Sequence, residues 1–133
     1  MIVDTSALVA MVRQEAGFEE LVDAVVDARG GLLSAGNALE TAIVIDSYRD
    51  PVVSRDLDRV RRELDIAIAP VTATHVDIAR QAYRDYGKGS GHPAGLNFGD
   101  CFAYALAVDS GEPLLFLGDD FVHTDVEPAV PRS

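Results

Sequence analysis

Cysteine is almost missing from this sequence: among 133 residues there is one, Cys101. An internal disulfide framework is therefore excluded, and the usage suits a reducing cytoplasm. Histidine is scarce too, with three scattered residues, so the donor set of a structural zinc site is lacking. Apolar runs are short. None approaches the roughly 20 residues that span a bilayer, which argues against an integral membrane protein. The opening MIVDTSALVA has no basic leader, and an aspartate interrupts its apolar stretch, so it does not read as a signal peptide. Basic residues are outnumbered, 11 against 22 acids, for a formal net charge of −11. Such a chain repels nucleic acid on average. To act on RNA or DNA it needs a local basic patch, bridging metal ions or an assembly.

What remains is globular. Hydrophobic residues make up 48% and charged residues 25%, enough for one packed core and no second one, so residues 1–133 are read as a single domain. Met1 to Val3 reads as a strand that ends at Asp4, with a helix capped by Thr5 or Ser6. Phe18, Leu21, Val22, Val25 and Val26 repeat at helical spacing, and Gly30 and Gly31 stop that helix. Leu32 and Leu33 form a second strand, and residues 37–48 read as a helix. Pro51 opens another helix with Val53, Leu57, Val60 and Leu64 on one stripe. Ile66 to Ala69 is a third strand. Thr72 or Thr74 caps a helix carrying Val76, Ala79, Tyr83 and Tyr86 inward. After a glycine-rich loop, Asn97 caps a helix with Phe98, Phe102, Ala105 and Leu106 inward. Leu114 to Leu117 is a fourth strand, and a last extended piece lies near Val126. Strands alternating with helices predict an α/β fold with a parallel sheet covered on both faces.

Ligands of such a sheet bind outside the carboxyl ends of its strands. Asp4 ends the first strand, and Asp119 and Asp120 follow the fourth. Glu40 lies early in the helix after the second strand. Asp100 lies three residues after Asn97, at the start of a helix that feeds the fourth strand. All map to one edge. Singly, each has a plain explanation: Asp4 and Asp100 as helix-end acids, Asp119 and Asp120 as turn residues. Glu40 interrupts ALETAIVI with no Lys or Arg nearby. A carboxylate in that setting is paired, protonated or metal-bound. Together the acids point to a hard cation, Mg²⁺ or Mn²⁺, held by oxygen ligands. Metal-assisted phosphodiester hydrolysis uses such a set, the cation activating a water.

The segments MIVDTSALVA, ALETAIVI, YGKGSGHPAGLNFGDCFAYALA and GEPLLFLGDDFVHTD resemble the PIN-domain ribonucleases, most closely the VapC-type toxins of VapBC toxin–antitoxin systems. The resemblance runs over essentially the whole chain. It implies a PIN-like domain with a parallel sheet of about five strands flanked by helices on both faces. It also implies a Mg²⁺- or Mn²⁺-dependent endoribonuclease in the cytoplasm, with RNA as substrate, a VapB-type antitoxin as partner, and a homodimer. Asp4, Glu40 and Asp100 match the family's first three acids, and Ser6 matches a hydroxyl that supports the first. Asp119 and Asp120 are both candidates for the fourth, because Gly118 stands where many relatives have threonine. Two rivals are a catalytically inactive PIN-like binding module and a receiver-like phosphoacceptor domain. The receiver class needs a lysine at the end of a late strand, and the single lysine here, Lys88, falls in the glycine-rich loop.

Other features have competing readings. Arg55, Arg59 and Arg62 form a stripe that is read as a solvated helix face, with Arg59–Glu63 and Asp58–Arg62 pairs; guidance of RNA phosphates is the alternative. Lys88 and His92 either clamp RNA or simply connect two helices. Tyr83 and Tyr86 are read as core residues and not as base-stacking platforms, and Cys101 as buried. His75 and His123 are assigned surface or local hydrogen-bonding roles.

Overall fold

The computed structural model describes residues 1–131. Its strands are β1 (Ile2–Val3), β2 (Gly31–Ser34), β3 (Ile66–Ala69) and β4 (Leu114–Leu115). Its helices are α1 (Thr5–Arg13), α2 (Phe18–Asp27), α3 (Ala35–Asp46), α4 (Pro51–Glu63), α5 (Ala73–Tyr86) and α6 (Phe98–Ser110). The sheet runs β3-β2-β1-β4 with every pairing parallel. Ile2 sits opposite both Leu32 and Leu114. Side chains alternate across a strand, and the cores follow. Ile2 and Leu114 enter a cluster with Leu96, Tyr104, Leu106 and Phe121. Val3, Leu33 and Leu115 enter the opposite one with Leu8, Val25 and Ile45. α5 and α6 thus cover one face, and α1 to α4 the other. Each fully buried aliphatic side chain contributes about 1.5–3 kcal/mol.

Among the described residues four strands form, against the five expected. The extended piece near Val126 makes a single bridge, Leu114 to Pro128. The Leu114 amide donates to the Glu127 carbonyl and the Ala129 amide to the Leu114 carbonyl, each at 2.8 Å. Pro128 has no N–H, and Pro131 follows three residues later, so the ladder cannot lengthen. The fourth strand also ends at Leu115, before the predicted Leu117.

Caps and faces differ in places. Asp4, not Thr5 or Ser6, caps α1. Thr72 caps α5 and Asn97 caps α6, each through a reciprocal capping box. Cys101 is buried as expected, and burial pushes its thiol up to about 11. Three residues expected inward point to solvent: Phe98 is 80% exposed, Val76 56% and Tyr83 50%. They line a surface groove along α5 and the start of α6. The Arg59–Glu63 pair forms at 3.2 Å, and Arg59 takes Asp56 as its second partner at 3.1 Å, with no Asp58–Arg62 pair among the described residues.

The chain moves outward from β1 through β2 to β3, then returns to place β4 on the other side of β1. The reversal leaves a crevice between the carboxyl ends of β1 and β4, where α/β sheets bind ligands.

Candidate active site

Asp4 stands at that crevice. Its backbone amide donates to the Leu115 carbonyl at 2.9 Å, tying β1 to β4. Its Oδ2 accepts from the Ser6 amide at 3.0 Å and the Ser6 hydroxyl at 2.6 Å. The Ser6 Oγ in turn accepts from the Leu117 amide at 3.0 Å. Ser6 therefore links the first acid to the segment carrying Asp119 and Asp120. Burial pushes the Asp4 carboxyl up to about 6; the Ser6 hydrogen bonds resist this, and the Glu40 charge adds to it.

Asp100 occupies the third position of α6. Its Oδ2 accepts from the Asn97 amide at 3.0 Å, while Asn97 Oδ1 accepts from the Asp100 amide at 2.9 Å. Burial pushes this carboxyl up to about 8, opposed by the Asn97 hydrogen bond and reinforced by Asp120 and Asp4. The Asp120 side chain lies near enough to Asp100 to act on its carboxyl. Asp119 is exposed on the same turn, its carbonyl facing the Val122 amide at 3.4 Å. Gly118 makes this turn at φ +98°, a conformation that favours glycine.

Glu40 projects from α3 toward the same place. Its Oε1 accepts from the Thr5 hydroxyl at 2.5 Å and from Asn37 Nδ2 at 3.2 Å. Asn37, fully buried, also donates to the Gly99 carbonyl at 2.9 Å. Both neighbours of its NH₂ are acceptors, which fixes the amide orientation. The Thr41 hydroxyl donates to Thr5 Oγ1 at 3.2 Å. A side chain at position 99 would overlap the Glu40 carboxylate, so glycine is what lets α6 approach α3 here. Thr5, Asn37 and Thr41 were not picked out as site residues from the sequence. An Asn three residues before Glu40 on one helix was the available signal.

Asp4, Glu40, Asp100 and Asp120 therefore converge on one crevice, where burial opposes the ionisation of Asp4 and Asp100. Among the described residues no three His, Cys, Asp or Glu side chains are grouped so as to hold a metal ion by themselves. The donor set still fits a hard cation. Mg²⁺ needs only one or two carboxylates, the remaining positions going to water and substrate phosphate. No lysine or arginine pairs with Asp4, Glu40 or Asp100 among the described residues. Asn37 Oδ1 is buried beside them without a donor.

Comparison with known proteins gives a consistent picture. The PIN domain family matches residues 1–127. Ribonuclease VapC28 of Mycobacterium tuberculosis is 53% identical over 132 residues, 99% of each chain. Ribonuclease VapC42 of the same species is 49% identical over 129 residues, 97% of this chain and 98% of that one. The crystal structure of M. tuberculosis VapC20, described as a sarcin–ricin loop cleaving toxin, superposes with a TM-score of 0.67 at 18% identity, covering 96% of this chain and 98% of that one. This last likeness speaks to the fold alone. No helix among the described residues is long and apolar enough to cross a membrane.

Proposed function

The chain belongs to the PIN-domain family and within it to the VapC ribonucleases, and from that premise we propose a toxin endoribonuclease that cleaves RNA with Mg²⁺ or Mn²⁺ at the β1–β4 crevice. The carrying observation is the convergence of Asp4, Glu40, Asp100 and Asp120, two of them with carboxyls raised by burial and like charge. Like charges in a desolvated crevice are stabilised by a divalent cation.

When bound, the cation supplies an activated water for in-line attack and charge stabilisation at phosphorus. Asp4, Glu40 and Asp100 would hold it, with Asp120 favoured over Asp119 as fourth acid because Asp120 reaches Asp100. The chain's own part is preorganisation. Ser6 locks the Asp4 carboxylate through two donors on Oδ2. Thr5 and Asn37 orient Glu40, and the Asn97 amide orients Asp100. By the same family reading the protein works in the cytoplasm, as a homodimer, restrained by a VapB-type antitoxin.

Purified protein should cleave RNA in MgCl₂ or MnCl₂ and stop in EDTA. Asp4→Asn, Glu40→Gln and Asp100→Asn should each lower the rate by orders of magnitude with the circular-dichroism spectrum retained. Full activity in EDTA refutes the metal mechanism. Absence of cleavage in any divalent salt favours the inactive binding module. The receiver-like alternative is set aside by the family match and by Lys88, whose amide bonds the Leu96 carbonyl in the α5–α6 loop, away from any strand end.

A further inference from the structure

The turn after β4 carries Asp119 and Asp120, and no regular element holds it: residues 116–126 form neither strand nor helix. Its front end is fastened by Ser6 Oγ, which accepts from the Leu117 amide at 3.0 Å. Its middle is fastened by Phe121, 2% exposed, whose ring centroid lies 5.2 Å from that of Phe116. Asp119 and Asp120, between these two points, are exposed. Thr124 folds the turn back on itself. Its hydroxyl donates to the Phe121 carbonyl at 2.7 Å and accepts from the Val126 amide at 3.4 Å. Both Thr124 bonds stay inside the turn.

Asp100 and Tyr104 stand four residues apart on α6, so they share one face of that helix, and the turn meets both. Asp120 lies near enough to Asp100 to act on its carboxyl. Tyr104, 7% exposed, donates through its hydroxyl to Asp125 Oδ1 at 2.6 Å. The first contact sets carboxylate against carboxylate; the second is a short, charge-assisted hydrogen bond. Neither α6 nor residues 116–126 contain a lysine or arginine, so no cation on these segments offsets the repulsion. Burial, reinforced by the Asp125 hydrogen bond, holds the Tyr104 hydroxyl well above the ordinary tyrosine range, so it remains a donor. The Tyr86 ring lies against it, with centroids 5.8 Å apart.

We propose that Tyr104 is a positioning residue for the metal site: its bond to Asp125 clamps the turn onto α6 and so keeps Asp120 facing Asp100 before a cation binds. The proposal rests on the metal-dependent ribonuclease reading and adds to it a residue that touches neither metal nor RNA. Two carboxylates that repel each other swing apart unless the segment carrying one of them is held from elsewhere. Metal binding itself draws them together, so the clamp matters most when divalent cation is scarce. A binding-competent state that is only partly populated weakens apparent affinity in proportion. A hydrogen bond to a charged group shifts such a balance by about tenfold or more. With the docked and undocked turn about evenly populated in the wild type, losing the bond leaves it docked in about a tenth of the molecules, and affinity falls about fivefold. A tyrosine that served stability alone would lower Tm and leave metal affinity unchanged.

The test uses the full chain without RNA and follows Mn²⁺ binding by electron paramagnetic resonance; a second measurement follows RNA cleavage against MgCl₂ concentration. Tyr104→Phe keeps the buried ring and removes only the hydroxyl, so the fold survives, which circular dichroism checks. It should weaken Mn²⁺ binding about fivefold and raise the MgCl₂ needed for half-maximal cleavage by the same factor, with the rate recovering at saturating MgCl₂. Asp125→Ala should match it, and the double variant should be no weaker than either single one, as for two halves of one interaction. Asp125→Asn loses the charge but keeps an acceptor, so its Mn²⁺ affinity should stay close to that of the wild type. Unchanged Mn²⁺ affinity in Tyr104→Phe, whatever its Tm, overturns the clamp. A loss in Asp125→Asn equal to that in Asp125→Ala also overturns it, since Asp125 would then act by charge alone. If the wild type binds no Mn²⁺ and cleaves no RNA, the ribonuclease reading falls together with the clamp; if it does both and Tyr104→Phe binds Mn²⁺ equally, the clamp alone falls.

Discussion

Removing the divalent cation should make folding stability depend on pH in an unusual direction. The Asp4 carboxyl is pushed from 3.8 to about 6 and that of Asp100 from 3.8 to about 8, both chiefly by burial. In the unfolded chain both ionise near pH 4. Between pH 4 and 8 the folded state therefore holds more protons than the unfolded one, and stability falls as pH rises. The stabilisation is fully present below pH 4 and lost as pH passes 6 for Asp4 and 8 for Asp100. For Asp4 alone, about two pKa units at 1.36 kcal/mol each give a loss of about 3 kcal/mol. In a domain of this size that is roughly 10 °C in Tm, a large part of a typical 5–15 kcal/mol stability. Asp100 adds to it in the same direction. The assay is urea unfolding followed by circular dichroism in EDTA at half-unit steps from pH 4 to 8.5. The wild type is compared with Asp4→Asn/Asp100→Asn, which keeps both capping oxygens. Other carboxylates titrate equally in both proteins and cancel in the difference. The double variant should gain on the wild type by at least about 3 kcal/mol across this range, and millimolar MgCl₂ should restore the wild type alone by mass action. A difference that does not change with pH would refute the burial-raised carboxyls of Asp4 and Asp100.

Three further outcomes follow from the contacts around the acids. Ser6→Ala removes the 2.6 Å bond to Asp4 and the acceptor for the Leu117 amide; thermal melts should show a loss of about 1–2 kcal/mol, with lower cleavage rate. Asn37→Leu strips Glu40 and the buried Gly99 carbonyl of one donor each and should destabilise by about 2–3 kcal/mol in urea unfolding; unchanged stability would show the amide to be dispensable. Gly99→Ala should raise helix propensity by about 1 kcal/mol, yet the added methyl meets the Glu40 carboxylate, so Tm should not rise and cleavage should fall at least tenfold.

Much of this protein is legible before folding. Alternating short apolar runs and amphipathic stretches determine a parallel α/β sheet, because only helices on both faces can cover strands such as Leu32–Leu33 and Ile66–Ala69. The caps Thr72, one of two candidates with Thr74, and Asn97 are local chemistry, and they appear at those positions in the structure. The chain positions of Asp4, Glu40 and Asp100, with the rule that sheets bind ligands at strand carboxyl ends, suffice to nominate the crevice. Its precise membership is another matter. That Asp120 reaches Asp100, that Thr5 and Asn37 hold Glu40, and that Phe98, Val76 and Tyr83 face solvent depend on how far each helix extends past the sheet and at what angle it crosses. Periodicity identifies the stripe of a helix that faces inward, but not where along its length the core ends. Pairing across 35 residues, as between Thr5 and Glu40, leaves no mark in sequence spacing. Such contacts are decided when α1, α3 and α6 pack side by side, where a missing methyl at Gly99 admits one carboxylate and the burial of its neighbours opposes their charge.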